Sequence, residues 1–287
     1  MNPGDARRTL TLRDGRNLVW SETGNRAGPA VIALHGTPGS RHSFTVDEPS
    51  WATLGARLIC PDRPGYGSST ARPDMTLVQY PDMIDQLADH LELDRFATLG
   101  YSGGGPYAAA CAALLPARIN RLILVSAIGP PDDRPERRAP RTRNQRLLTH
   151  FQRHPRLART ATTASGAAMN RWPERALAAM TKSMPRIDQT IASRPAVHAA
   201  LLRDLADSPI NIGRPLAQDM ARLAQPWSFS PSDITIPTDL WHGTADLNAP
   251  VTDARRLHHA MTGSILHELN GAGHLLIYDH ITAILKS

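Results

Sequence analysis

Cysteine is nearly missing from this 287-residue chain, which carries Cys60 and Cys111 alone. Two cysteines cannot build a disulfide framework, and neither lies in a Cys-x-x-Cys or Cys/His cluster of metal-site spacing. Both are expected as buried thiols, and no metal site is expected. Lysine is as scarce: Lys182 and Lys286 are the only two among 32 basic residues. The formal charge of +6 therefore reads as a compositional habit of arginine and not as a phosphate-binding stripe, so no nucleic-acid partner is expected. Long apolar runs are absent too. The longest, residues 108–115, falls far short of the roughly 18 residues that cross a bilayer, so no integral membrane segment is expected. Residues 1–12 carry Arg7 and Arg8 and then alternate threonine with leucine. They lack the apolar block of about 7 to 15 residues of a secretory signal, which makes the cytoplasm the expected location. What remains is 41% hydrophobic and 20% charged, ordinary for a globular chain, with length for one large domain or a body with an insertion.

The positive charge is unevenly placed. Residues 131–232 hold 17 basic and 8 acidic residues, whereas the rest of the chain holds 15 and 18. Before that segment, short Val/Ile/Leu-rich runs predict strands at 9–12 and 18–21 about the Asp14-Gly15 turn, then at 31–34, 57–60, 96–100 and 122–126. Helical periodicity over 83–93 and an alanine-rich stretch at 105–115 separate the later strands, which predicts a parallel sheet after an antiparallel opening hairpin. After residue 232 the alternation resumes, with a strand over 234–241, a helix over 250–261, a strand over 264–269 and a terminal helix. The basic segment holds proline-punctuated helical stretches at 145–153, 156–169, 174–180 and 197–205, with Leu216, Met220 and Leu223 at helical spacing. It reads as a helical cap, residues 131–232, inserted into a core of residues 1–130 and 233–287. Residues 130–143, crowded with proline, aspartate and arginine, read equally as a disordered linker.

Chemistry concentrates at Gly100-Tyr101-Ser102-Gly103-Gly104, between a predicted strand and a predicted helix. This fits the G-x-S-x-G elbow, whose serine sits on a sharp turn and needs small residues two before and two after it. A serine hydroxyl is a weak nucleophile until a base, itself oriented by an acid, takes its proton. Downstream, Asp246 follows a strand end and His274 stands in Gly271-Ala272-Gly273-His274 on a loop after the last strand, in the chain order Ser, Asp, His. His280 is the fallback base, and Asp132 and Asp133 are fallback acids. The oxyanion of acyl transfer needs two N–H donors. Gly103, opening a helix, supplies one, and the Thr37 amide in the loop His35-Gly36-Thr37-Pro38-Gly39-Ser40 is chosen for the second. Pro38 fixes that loop's shape, and His35 buttresses it. Tyr101, Pro38 and Trp227 are candidate substrate contacts. Phe151, Trp172, Trp227 and Phe229 either line an acyl pocket or pack helices. The arginines of the cap either attract anionic substrates or form a solvated face.

With the elbow, His35-Gly36-Thr37-Pro38-Gly39, the Asp246 turn and Gly271-Ala272-Gly273-His274 in one order, the chain resembles the α/β-hydrolase superfamily. Residues 61–69, Pro-Asp-Arg-Pro-Gly-Tyr-Gly-Ser-Ser, look like that family's characteristic loop, and 227–237 like the return from its cap; both are taken as structural. The resemblance implies an α/β fold with a mostly parallel eight-stranded sheet flanked by helices and a cap inserted after strand 6. It implies no cofactor and a small-molecule acyl substrate, with carboxylic esters first. Epoxide hydrolases and haloalkane dehalogenases place aspartate at the elbow, where this chain has Ser102. Proline iminopeptidases usually carry a second glycine where Thr37 stands. An aminopeptidase of that kind, perhydrolysis or carbon–carbon cleavage by the same three residues, and a ligand receptor that merely keeps the fold are the alternative readings.

Overall fold

In the computed structural model, residues 7–131, 146, 150, 153–207 and 213–287 are described. The predicted strand runs become β1 (Arg8–Thr11), β2 (Asn17–Gly24), β3 (Ala30–Leu34), β4 (Arg57–Pro61), β5 (Phe96–Tyr101), β6 (Ile119–Val125), β7 (Thr238–Gly243) and β8 (Ile265–Leu269). They form one eight-stranded sheet in the order β1-β2-β4-β3-β5-β6-β7-β8. β2 pairs antiparallel with β1 and β4, and the pairs from β4 through β8 are parallel. β7 begins four residues later than the sequence predicts. A 3-10 turn at residues 231–233 precedes it, and Pro237, which has no N–H for a ladder, contributes its carbonyl to the Leu122 N–H at 2.9 Å.

The central strands are apolar almost throughout because both faces of the sheet are covered. Ile32 and Leu34 of β3 belong to one hydrophobic cluster with Phe96, Leu122 and the alanines of a helix at Gly105–Leu114. Val31 and Ala33 belong to the opposite cluster with Leu99, Ile123, Val125 and the stripe Ile277, Ile281, Ile284 of the last helix. Alternate residues of one strand thus feed two cores, the period-2 geometry of a strand. Cys60 and Cys111 are buried free thiols, one in each cluster.

Among the described residues the helices, in chain order, are α1 (Pro49–Ala52), α2 (Tyr80–His90), α3 (Gly105–Leu114), α4 (Pro155–Arg171), α5 (Pro173–Lys182), α6 (Arg186–Ser193), α7 (Pro195–Ala206), α8 (Gly213–Leu223), α9 (Val251–Ala260) and α10 (Ile277–Lys286). Six of them, α1, α2, α3, α4, α5 and α7, carry proline in the first two helical positions. The proline punctuation of the sequence marks helix starts, where a missing N–H costs nothing. Helices α4 to α8 all fall between β6 and β7. The periodicity reading anticipates α4, α5, α7 and α8 there, but not α6. The stretch at 145–153, the linker reading of 130–143 and the fallback acids Asp132 and Asp133 lie outside the described residues. No helix among the described residues is long and apolar enough to cross a membrane.

Candidate active site

β5 ends at Tyr101, a 3-10 turn spans Ser102–Gly104, and α3 follows. Ser102 holds φ +53°, a left-handed conformation that costs a non-glycine residue of order 1–3 kcal/mol and persists only where its surroundings enforce it. The turn is tight enough that a Cβ at Gly104 would stand 2.2 Å from the carbonyl oxygen of Leu34. The close approach of the end of β3 therefore accounts for the small residue two places after the serine.

Three side chains meet at this turn. The Ser102 Oγ lies 3.0 Å from His274 Nε2, and His274 Nδ1 lies 2.8 Å from Asp246 Oδ2. An ionised carboxylate only accepts, so Nδ1 carries the proton and Nε2 of the neutral ring faces the hydroxyl as an acceptor. The other oxygen of Asp246 accepts the N–H groups of Asn248 at 2.8 Å and Ala249 at 3.0 Å, which fixes the carboxylate. Burial works against the charged form of each partner. The mutual charge and hydrogen bond outweigh it, so Asp246 is held below the ordinary carboxylate range and His274 is raised above the ordinary imidazole value, the Asp188 charge adding to the rise. The fallback base His280 lies within α10.

The loop after β3 comes against the elbow: a Cβ at Gly103 would lie 2.3 Å from Thr37 Oγ1. The two candidate oxyanion residues are therefore immediate neighbours. His35 is fully buried. The Arg63 N–H donates to its Nε2 at 3.0 Å, so Nδ1 donates to the Gly36 carbonyl at 2.9 Å. Burial, and then the nearby Arg63 charge, depress its pKa well below the ordinary value, which leaves it a neutral prop for the loop.

Sequence reasoning missed the polar cluster behind Thr37. Asp219 of α8 accepts from Thr37 Oγ1 and Arg63 at 2.7 Å each and from the Tyr66 hydroxyl at 2.8 Å and the Tyr107 hydroxyl at 2.5 Å. Arg63 also donates to the Gly36 carbonyl and to Thr37 Oγ1, both at 2.7 Å. The charges of Arg63 and its hydrogen-bonding partners keep Asp219 below its ordinary pKa despite complete burial. An aspartate inside an amphipathic helix pattern is the sole signal in the string, and its partners lie up to 182 residues away.

A cavity of about 330 Å³ opens over Ser102 and His274, within the size range of small-molecule sites. Thr37 and Pro38 line it from the β3 loop, and Met169, Met180, Met184 and Met220 from the inserted helices and their joints. Among the described residues its lining includes Pro38 but neither Trp227 nor Tyr101. Trp227 stacks on Phe229 within the core, because its large apolar surface is buried against α3-side residues and not against the cavity. Tyr101 packs under the His274 ring at 5.3 Å and donates its hydroxyl to the His274 carbonyl at 3.3 Å. Trp172 is half-exposed at the α4–α5 joint, and Phe151 lies outside the described residues. Among the described residues no lysine or arginine lines the cavity.

A family model described as "alpha/beta hydrolase fold" matches residues 29–281. An uncharacterized hydrolase of Bacillus subtilis (strain 168), YcgS, is 32% identical over 123 residues, which are 42% of this chain and 41% of that protein. The chain thus aligns with less than half of that relative's length. Among solved structures, a hydrolase from Pseudomonas aeruginosa PA01 superposes with a TM-score of 0.73 at 19% identity, covering 98% of this chain and 96% of that one. The esterase EaEST from Exiguobacterium antarcticum does so with a TM-score of 0.71 at 20% identity, covering 98% and 100%. At these identities the likeness concerns the fold.

Proposed function

Because the chain belongs to the alpha/beta hydrolase fold family, we propose that it is a serine hydrolase that cleaves uncharged carboxylic esters through an acyl-enzyme. Ser102 attacks the acyl carbon as His274 takes its proton. Asp246 holds the imidazole in the productive tautomer and stabilises its cation. The amides of Gly103 and Thr37 receive the oxyanion, each contributing roughly 3 to 4 kcal/mol. His274 then protonates the leaving alcohol, and a water activated by the same ring releases the acid. In this reading residues 131–232 are the cap, 1–130 with 233–287 are the core, and the substrate enters between them.

One observation carries the reading: an unbroken relay of 3.0 and 2.8 Å from hydroxyl through imidazole to a fixed carboxylate, at the floor of a cavity. The substrate class follows from the cavity wall. Its methionines are flexible and polarizable, suited to an apolar acyl chain. Among the described lining residues the one acidic side chain, Asp253, is bonded to Arg256 at 2.7 Å and to the Gly129 N–H at 3.2 Å, and none is a lysine or arginine that would face a substrate carboxylate.

The test compares wild type with Ser102→Ala on a chromogenic short-chain ester, and scores covalent labelling by a fluorophosphonate. Turnover is expected to fall at least about 10⁴-fold, the scale on which a nucleophile acts within such a unit, and labelling is expected to vanish. Unchanged turnover in the variant removes Ser102 from the mechanism.

A further inference from the structure

The loop that carries His274 is held by a second carboxylate, which belongs to the inserted segment. Asp188 lies in the first turn of α6 and is fully buried. Its Oδ2 accepts the backbone N–H of His274 and its Oδ1 that of Leu275, both at 2.8 Å. From the other side, the His274 carbonyl accepts the Tyr101 hydroxyl at 3.3 Å and the Ser126 hydroxyl at 3.1 Å. The peptide flanking the imidazole is therefore clamped between α6 and the ends of β5 and β6.

The contact is built for a carboxylate. A Cβ at Gly273 would sit 2.3 Å from each Asp188 oxygen, so the approach exists because residue 273 has no side chain. Two parallel N–H donors call for two acceptors. An asparagine offers one and would turn its NH₂ toward the other donor. Among the described residues no lysine or arginine pairs with Asp188, so the buried negative charge is balanced by the two amides and by His274 when it is protonated.

We propose that Asp188 is a positioning residue for His274: from α6 it fixes the backbone that aims the imidazole at Ser102 and lends negative charge to the imidazolium formed during turnover. This rests on the serine-hydrolase reading for its catalytic consequence, although the hold on the loop does not. The groups facing His274 are Asp246 from the loop after β7, the Ser102 hydroxyl at the elbow, the Tyr101 ring from β5 and Asp188 from α6. Those acting on Asp188 are His274 and, more weakly, Asp246. Both carboxylates favour the imidazolium, so removing the Asp188 charge makes His274 easier to deprotonate.

The experiment uses full-length Asp188→Asn, with folding checked by thermal melts, and reads two quantities. The first is the His274 imidazole titration by NMR, its resonance assigned by its loss in His274→Gln. In Asp188→Asn the titration is expected to move down by about half a pH unit or more. The second is ester kinetics: kcat is expected to fall roughly 10- to 100-fold, the scale of a slightly misplaced catalytic group, with KM changed less than about threefold. A folded variant with the wild-type titration and kcat overturns the proposal. If Asp188→Asn does not fold, Gly273→Ala displaces the carboxylate without deleting it. The same two shifts are then expected, and a wild-type result overturns the proposal. Should wild type neither turn over esters nor label with fluorophosphonate, the hydrolase reading fails on its own, and the NMR titration still decides whether Asp188 acts on His274.

Discussion

His274 sits between Asp246, which accepts its Nδ1 proton, and the Ser102 hydroxyl, which needs its Nε2 free. Burial favours the neutral ring, but the charge and hydrogen bond of Asp246, with the charge of Asp188, prevail and raise its pKa. A general base works in its neutral form. Activity is therefore lost as pH falls through this raised value, and the acid limb of kcat/KM is expected above the ordinary imidazole pKa of about 6.5. A pH–rate profile with an uncharged ester checks this; an inflection well below 6 would detach His274 from the rate. At this scale the string was informative about the elbow. Its residue types stand within five consecutive positions, and the crowding that excludes a side chain at Gly100 comes from Gly104, Gly105 and Ala108 close by in the chain. Asp188 was illegible because its partners lie 86 and 87 residues downstream, and α6, only eight residues long, gave no long period to detect.

At the scale of elements, three buried aspartates of the inserted helices each grip a loop of the sheet body. Asp188 of α6 holds the His274 loop. Asp204 of α7 accepts from the Ser40 N–H at 2.7 Å and from the hydroxyls of Ser40 at 2.8 Å and Ser43 at 2.9 Å. Asp219 of α8 holds Thr37 and Arg63. The helices α6 to α8 are thus docked by specific polar contacts on the loops that carry the candidate chemistry. Asp219→Ala would strand the Arg63 guanidinium, itself only 1% exposed, without its counter-charge. A loss of about 3–5 kcal/mol in unfolding free energy is expected, since breaking one side of a buried pair leaves an uncompensated charge. Urea denaturation measures it, and a loss below about 1 kcal/mol would mean that water or another acceptor takes over. Of these three helices, periodicity in the sequence anticipated α7 and α8 but not α6. It did not show which face of each helix meets the body, because a buried aspartate breaks the apolar stripe by which faces are read.

For the molecule as a whole, the surplus of arginine in residues 131–232 looked from the sequence like either an anion trap or a solvated face. In the structure several of these arginines tie the inserted helices to the body instead. Arg222 donates to the carbonyls of Arg72 and Pro73, Arg203 to that of Thr45, and Arg194 pairs with Asp279. Among the described residues the cavity wall is mostly methionine, leucine, alanine, proline and small polar residues. An uncharged ester is accordingly expected to exceed a hemisuccinate of equal length by roughly tenfold or more in kcat/KM, because the acid would enter an apolar site without a cationic partner. Kinetics on the matched pair decide it, and a preference for the acidic ester that fades with salt would place the arginines at the entrance. By itself the sequence determined the alternation of strands and helices, the two-sided burial of the sheet and the sharp turn at Ser102, since periodicity and backbone sterics act between near neighbours. The three-dimensional packing alone decided that Asp188 and Asp219 reach the loops of His274 and Thr37, that Trp227 turns into the core, and that methionines face the cavity. Those outcomes depend on which distant surfaces meet, and the cost of burying a charge is met only by partners that folding brings from elsewhere in the chain.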